Sequence, residues 1–231
     1  KKVNSKNKLL TTIAYQINGK VTYGLEGSIF IAGAAVQWLR DGLKLFTSYS
    51  EADALAATVK DSAGVYLVPA FTGLGAPYWN PHARGAVLGL SQNTRIEHIL
   101  RATIEAVCYQ TLDLINAMQK DIQASIHHLR VDGGMTNSPF FLQCLSDISQ
   151  IQVERPTCIE SSALGAAMLA AIGSGHFTDL KQCKNWWQSH AEFHPQLDVN
   201  KQTRMYAGWK NAVNSTQTHA KGESELTEKN T

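Results

Sequence analysis

Two adjacent glycines, Gly133 and Gly134, stand between a run with strand character and a run with helix character. Ile126 to Arg130 suits a strand, and Pro139-Phe140-Phe141-Leu142-Gln143-Cys144-Leu145-Ser146-Asp147 suits a helix. The link is Val131-Asp132-Gly133-Gly134-Met135-Thr136-Asn137-Ser138. Paired glycines let the chain turn sharply and leave no side chain over the turn, so a flat or anionic ligand can approach the main chain and the helix N-terminus. That is the arrangement of a nucleotide site at the carboxyl edge of an α/β sheet. The same residues also suit a plain left-handed turn that binds nothing. Asp132, beside the pair, reads as a structural group at the strand end rather than as a base.

Other reactive side chains say less. His190 and His194 have i,i+4 spacing, but no third ligand stands near them in sequence. Cys108, Cys144, Cys158 and Cys183 lack Cys-x-x-Cys spacing. They read as reduced, mostly buried thiols of a cytoplasmic protein, not as disulfides or zinc ligands. A net charge of +2 is close to neutral, so bulk electrostatics predict no nucleic-acid partner. No run of about 18 apolar residues is present to span a membrane, and no secretory apolar core opens the chain. The chain of 231 residues, 44% hydrophobic and 17% charged, is long enough for a sizeable core. It begins Lys1-Lys2-Val3 without Met, as a fragment or a processed chain would.

The elements that must position the glycine turn follow from periodicity. Leu9 to Gln16 and Val21 to Gly27 are strand-like and flank Asn18-Gly19, a strong hairpin signal. Ile29 to Phe46 repeats apolar residues at helical spacing through Phe30, Ala34, Trp38, Leu39 and Leu43. Ser50 is expected to cap a second helix, with Asp53 as its capping-box partner. Val65 to Pro69 reads as a buried strand, 70–84 as a structured loop and 85–90 as a short strand. Ile96 to Lys120 carries one buried stripe through Ile96, Ile99, Leu100, Thr103, Val107, Thr111, Leu114 and Met118, with Arg95, Glu97, Arg101 and Asp113 off it. Glu105 reads as a helix-face charge.

Ile151 to Arg155 is a strand ended by Pro156, and Ala163 to Ile172 a helix of small residues suited to close packing. A last amphipathic helix spans about Lys201 to Val213. The polar stretch 215–231 is expected to be a disordered tail. Hairpin strands together with strands interleaved with helices predict an α/β domain over 1–214, a mixed sheet covered by helices.

Several separated segments together resemble the C-terminal domain of the FGGY carbohydrate kinases. Gly85-Ala86-Val87-Leu88-Gly89-Leu90, a seven-residue spacer and His98-Ile99-Leu100-Arg101-Ala102-Thr103-Ile104-Glu105 are similar to that family's second signature. Gly24 to Leu39, Val68 to Trp79 and Tyr206-Ala207-Gly208-Trp209 resemble the glycerol kinases within it. The resemblance implies one lobe of the actin/hexokinase-like (ribonuclease H-like) ATPase fold, with ATP held between two lobes. It implies that Ala163-Leu164-Gly165-Ala166-Ala167 belongs to the second connecting helix. It also implies nucleotide contacts from a Gly and a Gln four residues apart, matching Gly33 and Gln37, and from a second Gly, matching Gly134. An Asn contact of the family falls on Ser138, with Asn137 just before it. Gly33 and Gly134 would leave room for adenine, and the Gln37 amide would bond to the purine or ribose.

By the same resemblance, the complete protein would transfer the γ-phosphoryl of MgATP to glycerol, giving sn-glycerol 3-phosphate. The catalytic Asp, the glycerol pocket, the first phosphate loop and the Mg²⁺ ligands would lie in an N-terminal lobe outside this chain, which alone would be inactive. A kinase for another polyol or a pentulose, and a non-catalytic regulatory module, are the alternatives. Family members commonly form homo-oligomers. Some are inhibited by a protein that docks through zinc on the segment matching Pro195 to Tyr206, where the ligating Glu position holds Lys201 here, and a cation cannot ligate zinc.

Overall fold

The computed structural model describes residues 2–228, with 221–228 as backbone only. Asn18 and Gly19 both take positive φ, 50° and 75°. This is the pair of left-handed conformations that a two-residue hairpin turn requires and Asn-Gly supplies. The strands it joins, β1 (Leu10–Ile17) and β2 (Lys20–Glu26), run antiparallel with Ile17 opposite Lys20. The hairpin is anchored at its base by Leu9, which is buried with Ala76, Leu114 and Ala117.

The expected long first helix is shorter. It is α1, Gly33–Asp41, only. Residues 28–32 are held instead by the loop after the buried strand: the Ser28 carbonyl accepts the Ala76 N–H at 3.0 Å. The buried side of α1 is Ala35, Val36 and Leu39, while Phe30, Trp38 and Leu43 stay exposed. The second helix, α2 (Tyr49–Ala57), is capped two residues earlier than expected. Ser48 Oγ accepts the Glu51 N–H, and the Glu51 carboxylate reaches back to the Thr47 N–H at 2.8 Å.

Strands β3 (Tyr66–Val68) and β4 (Ala86–Leu88) pair antiparallel across the loop 70–84. That loop covers its own core through Tyr78, whose hydroxyl donates to Asp113 at 2.8 Å. Trp79 donates from Nε1 to the Lys8 carbonyl at 2.7 Å and meets Phe30 edge-on.

The central helix α3 (Ile96–Ile122) is enclosed on all sides rather than along one stripe. Asp113 and Glu105, expected on an open face, are 5% and 1% exposed. Both are satisfied at least in part by partners far away or one turn along. Asp113 accepts from Tyr78, Tyr206 and Trp209, the last at 2.8 Å. Glu105 pairs with Arg101 at 2.8 Å. Helix α6 (Val199–Glu228) closes the core by stacking the buried Trp209 on Tyr109, ring centroids 5.4 Å apart.

The segment beyond Asn214, read from the sequence as a tail, is helical through the described residues. Helix α6 continues to Glu228, because Val213, Thr216 and Ala220 extend the buried spacing that Trp209 begins. The tail expectation for 229–231 lies outside the described residues.

The mixed sheet consists of β5 (His128–Arg130), β6 (Gln152–Pro156) and β7 (Ser189–Phe193), with β5 parallel and β7 antiparallel to β6. The other four strands form the two separate ribbons above. Strand β7 was not anticipated, since Ser-His-Ala-Glu-Phe has little strand propensity and is held by pairing with β6. Helix α4 (Pro139–Ser149) covers this sheet and packs on α3. Helix α5 (Ser161–Gly173) is built of small and apolar residues, yet none of them is buried. Cys108 and Cys144 are buried on α3 and α4 and Cys183 is buried too, while Cys158 is exposed; all four are free thiols.

Candidate functional site

The glycine turn is fixed from below by hydrogen bonds. The Val131 N–H extends the ladder to the Glu154 carbonyl, and the Gly133 N–H bonds to the Ile159 carbonyl, both at 3.1 Å. Gly133 adopts φ 83° and ψ 176°, a region in essence reserved for glycine. Residues Gly134–Asn137 form one 3-10 turn. The buried Thr136 donates its hydroxyl to the Gly133 carbonyl at 2.6 Å, and Arg155 Nη1 donates to the Thr136 carbonyl at 3.0 Å. Ser138 then caps α4, its Oγ accepting the Phe141 N–H at 3.0 Å, with Pro139 in the first turn where its missing donor costs nothing.

Above this turn lies a cavity of about 790 Å³. Its walls come from three helix starts: Gly33 to Gln37 of α1, Tyr49 to Asp53 of α2, and Gly134 to Phe141. Gly33, Gln37, Gly134, Asn137 and Ser138, the five residues singled out in the sequence, all line it. A β-carbon added to Gly33 would meet Met135 Cγ at 3.3 Å, whereas one on Gly134 would meet nothing within 4 Å. Gly33 therefore abuts the far wall, and Gly134 faces open space. Helix α1 starts without a side-chain cap, so its first N–H groups remain free of any side-chain acceptor.

The floor is apolar, with Val36, Ile104 and Phe141 all buried. Tyr49, Ser50 and Asp53 were not anticipated as lining residues, because Ser50 and Asp53 were assigned to a cap. With Ser48 as the actual cap, the Tyr49/Asp53 spacing of one helical turn turns both toward the cavity. The signal was present in the sequence: Ala52 and Ala56 mark the inner face and leave Asp53 beside it.

Asp132 is exposed beside the turn and outside the cavity lining, and Lys201 donates to Asp61 at 3.2 Å. Among the described residues, no group of three or more His, Cys, Asp or Glu is arranged to hold a metal ion. No helix among them is long and apolar enough to cross a membrane.

The chemistry this geometry permits is the holding of a flat, largely apolar group over an apolar floor, with glycines at its faces and amide and hydroxyl groups at its rim. The profile of the FGGY family of carbohydrate kinases, C-terminal domain, matches residues 1–174. The chain is 56% identical over 218 residues to a glycerol kinase of Coxiella burnetii, covering 94% of this chain and 43% of that protein. It is 51% identical over 211 residues to one of Ectopseudomonas mendocina, at 91% and 43% coverage. The crystal structure of Plasmodium falciparum glycerol kinase with ADP superposes with a TM-score of 0.85 at 37% identity, over 94% of this chain and 43% of that one. A xylulose kinase of Lactobacillus acidophilus shares the fold at 21% identity and a TM-score of 0.80, over 93% and 43%. The chain thus spans less than half the length of the relatives it matches. Its fold is the actin/hexokinase-like lobe, and the chain belongs to the FGGY family of carbohydrate kinases, as a C-terminal domain of that family.

Proposed function

We propose that this chain is the nucleotide-holding lobe of a glycerol kinase, and that the complete protein transfers the γ-phosphoryl of MgATP to glycerol. The observation that carries the reading is the convergence of Gly33, Gln37, Gly134, Asn137 and Ser138 on one cavity from segments far apart in sequence. Gly33 and Gly134 would flank the purine. Gln37, exposed at the rim, would bond to the base or ribose, and Asn137 or the Ser138 hydroxyl would supply the remaining polar contact.

The base that accepts the glycerol proton and the ligands of Mg²⁺ belong, in this reading, to a second lobe. Helix α5 supports the two-lobe arrangement: an apolar helix with no buried residue is a face awaiting cover.

Calorimetric titration of ATP into this chain, with and without the N-terminal lobe of a glycerol kinase, tests the proposal. The expected result is weak binding by the chain alone, tighter binding with the second lobe, and glycerol-dependent ADP release only with both. Turnover by the chain alone, or no ATP binding in either case, overturns it. A panel of glycerol, other polyols and pentuloses on the complete protein tests the acceptor.

A further inference from the structure

Asp53 is the one charged side chain among those lining the cavity, and among the described residues no hydrogen bond or ion pair engages it. It is half-buried on α2, one turn beyond Tyr49. The wall around it is apolar, with Val36, Ile104 and Phe141 7%, 2% and 6% exposed. Asp53 thus lines the same cavity whose floor is drawn from α3 and α4 through Ile104 and Phe141.

An ionised carboxylate accepts hydrogen bonds and donates none. Half-buried and unpartnered, it gains from an N–H donor and repels a phosphate. A flat base fits the apolar floor, whereas the charged end of a nucleotide belongs near the exposed glycine turn and the helix starts. Ser138 is less suited to receive an amine, since its oxygen already accepts the Phe141 N–H.

We propose that Asp53 reads the exocyclic amine of adenine and makes the cavity selective for a 6-aminopurine nucleotide over a 6-oxopurine one. The inference rests on the nucleotide reading above and adds to it the residue that sets base specificity. A 6-oxo group would turn an acceptor toward an acceptor, and a site built for a donor rejects the analogue that lacks it.

The test titrates ATP, ITP, GTP and 2′-deoxy-ATP into this chain, wild type, Asp53→Asn and Asp53→Ala, by calorimetry or ligand-observed NMR. Thermal melts check that each variant is folded. Wild type is expected to bind ATP about tenfold or more tightly than ITP, and both variants to lose most of that ratio through weaker ATP binding. An unchanged ratio in folded variants overturns the inference and leaves the nucleotide reading standing. Two other outcomes also overturn it: GTP preferred to ATP, which would mean that the carboxylate pairs with guanine, and loss of discrimination against 2′-deoxy-ATP, which would move Asp53 to the ribose. Failure of the wild type to bind any nucleotide removes the functional reading and this inference together.

Discussion

Met135 packs against Gly33 so closely that a β-carbon on the glycine would lie 3.3 Å from its Cγ and 3.4 Å from its Sδ. The start of α1 and the glycine turn, distant in sequence, thus meet at the edge of the cavity. Methionine is flexible and can yield, but here it can yield only by moving relative to that edge. Gly33→Ala is therefore expected to fold with little change in thermal stability and to bind ATP several-fold more weakly. Gly33→Val should weaken binding further. Calorimetry alongside thermal melting checks both, and full ATP affinity in the valine variant would detach Gly33 from the ligand.

The two adjacent glycines should separate into a structural and a binding residue. Gly133 sits at φ 83° and ψ 176°, where a side chain is strained, although nothing crowds the space around it. Gly133→Ala is expected to cost about 1–3 kcal/mol of stability. Gly134 has an ordinary φ and an open surround, so Gly134→Val should leave stability within about 0.5 kcal/mol of wild type and reduce ATP binding. Denaturant unfolding and titration on the same pair of variants decide it. A Gly134→Val protein that binds like wild type would count against the nucleotide reading.

What the sequence disclosed was local. Asn18-Gly19, the strand before Gly133 and the α4 start at Pro139 are legible because turn chemistry is carried by the residues themselves. What it hid was set by distant partners. The helical pattern from Ile29 to Phe46 shrinks to Gly33–Asp41 because Ser28 is held by Ala76. Glu105 and Asp113 read as surface charges until α2, the 70–84 loop and α6 close over α3. Of the cavity, Gly134 was legible in the paired-glycine turn itself, whereas Gly33, Gln37, Asn137 and Ser138 were legible only through a family resemblance. Asp53 was missed because a cap two residues off left its true face unassigned.

Ser138 carries two duties that one variant can divide. Its oxygen caps α4, and its side chain lines the cavity. Ser138→Ala is expected to lose about 1 kcal/mol of stability through the cap. Ser138→Asn keeps a good cap, adds an amide to the rim, and should leave the melting temperature nearly unchanged while tightening ATP binding. Melting curves and titrations of the two variants are the measurement. Weaker binding by the asparagine variant, with the melting temperature held, would show that the family's amide does not fit this cavity.

The buried pair of Arg101 and Glu105 predicts a pH effect with a definite sign. Arg101 Nε lies 2.8 Å from Glu105 Oε1, and its Nη1 donates to the Val59 carbonyl at 2.6 Å. Glu105 Oε2 is buried without a partner. Burial pushes the Glu105 carboxyl above the usual range, and the guanidinium only partly opposes this. An acid raised on folding contributes stability that is fully present below its unfolded pKa and is lost as pH rises through the folded value. The loss should therefore begin near the ordinary glutamate value, about 4.3, and be complete above the raised one. In Glu105→Gln this part of the pH dependence should vanish, as seen by denaturant unfolding at a series of pH values. Arg101→Met should cost more than Glu105→Gln, about 3–5 kcal/mol relative to wild type near neutral pH, because it strands the carboxylate in the core. Combining it with Glu105→Gln should recover part of that loss. If the double variant is no more stable than Arg101→Met, the cost lies in the released Val59 carbonyl and not in the stranded charge.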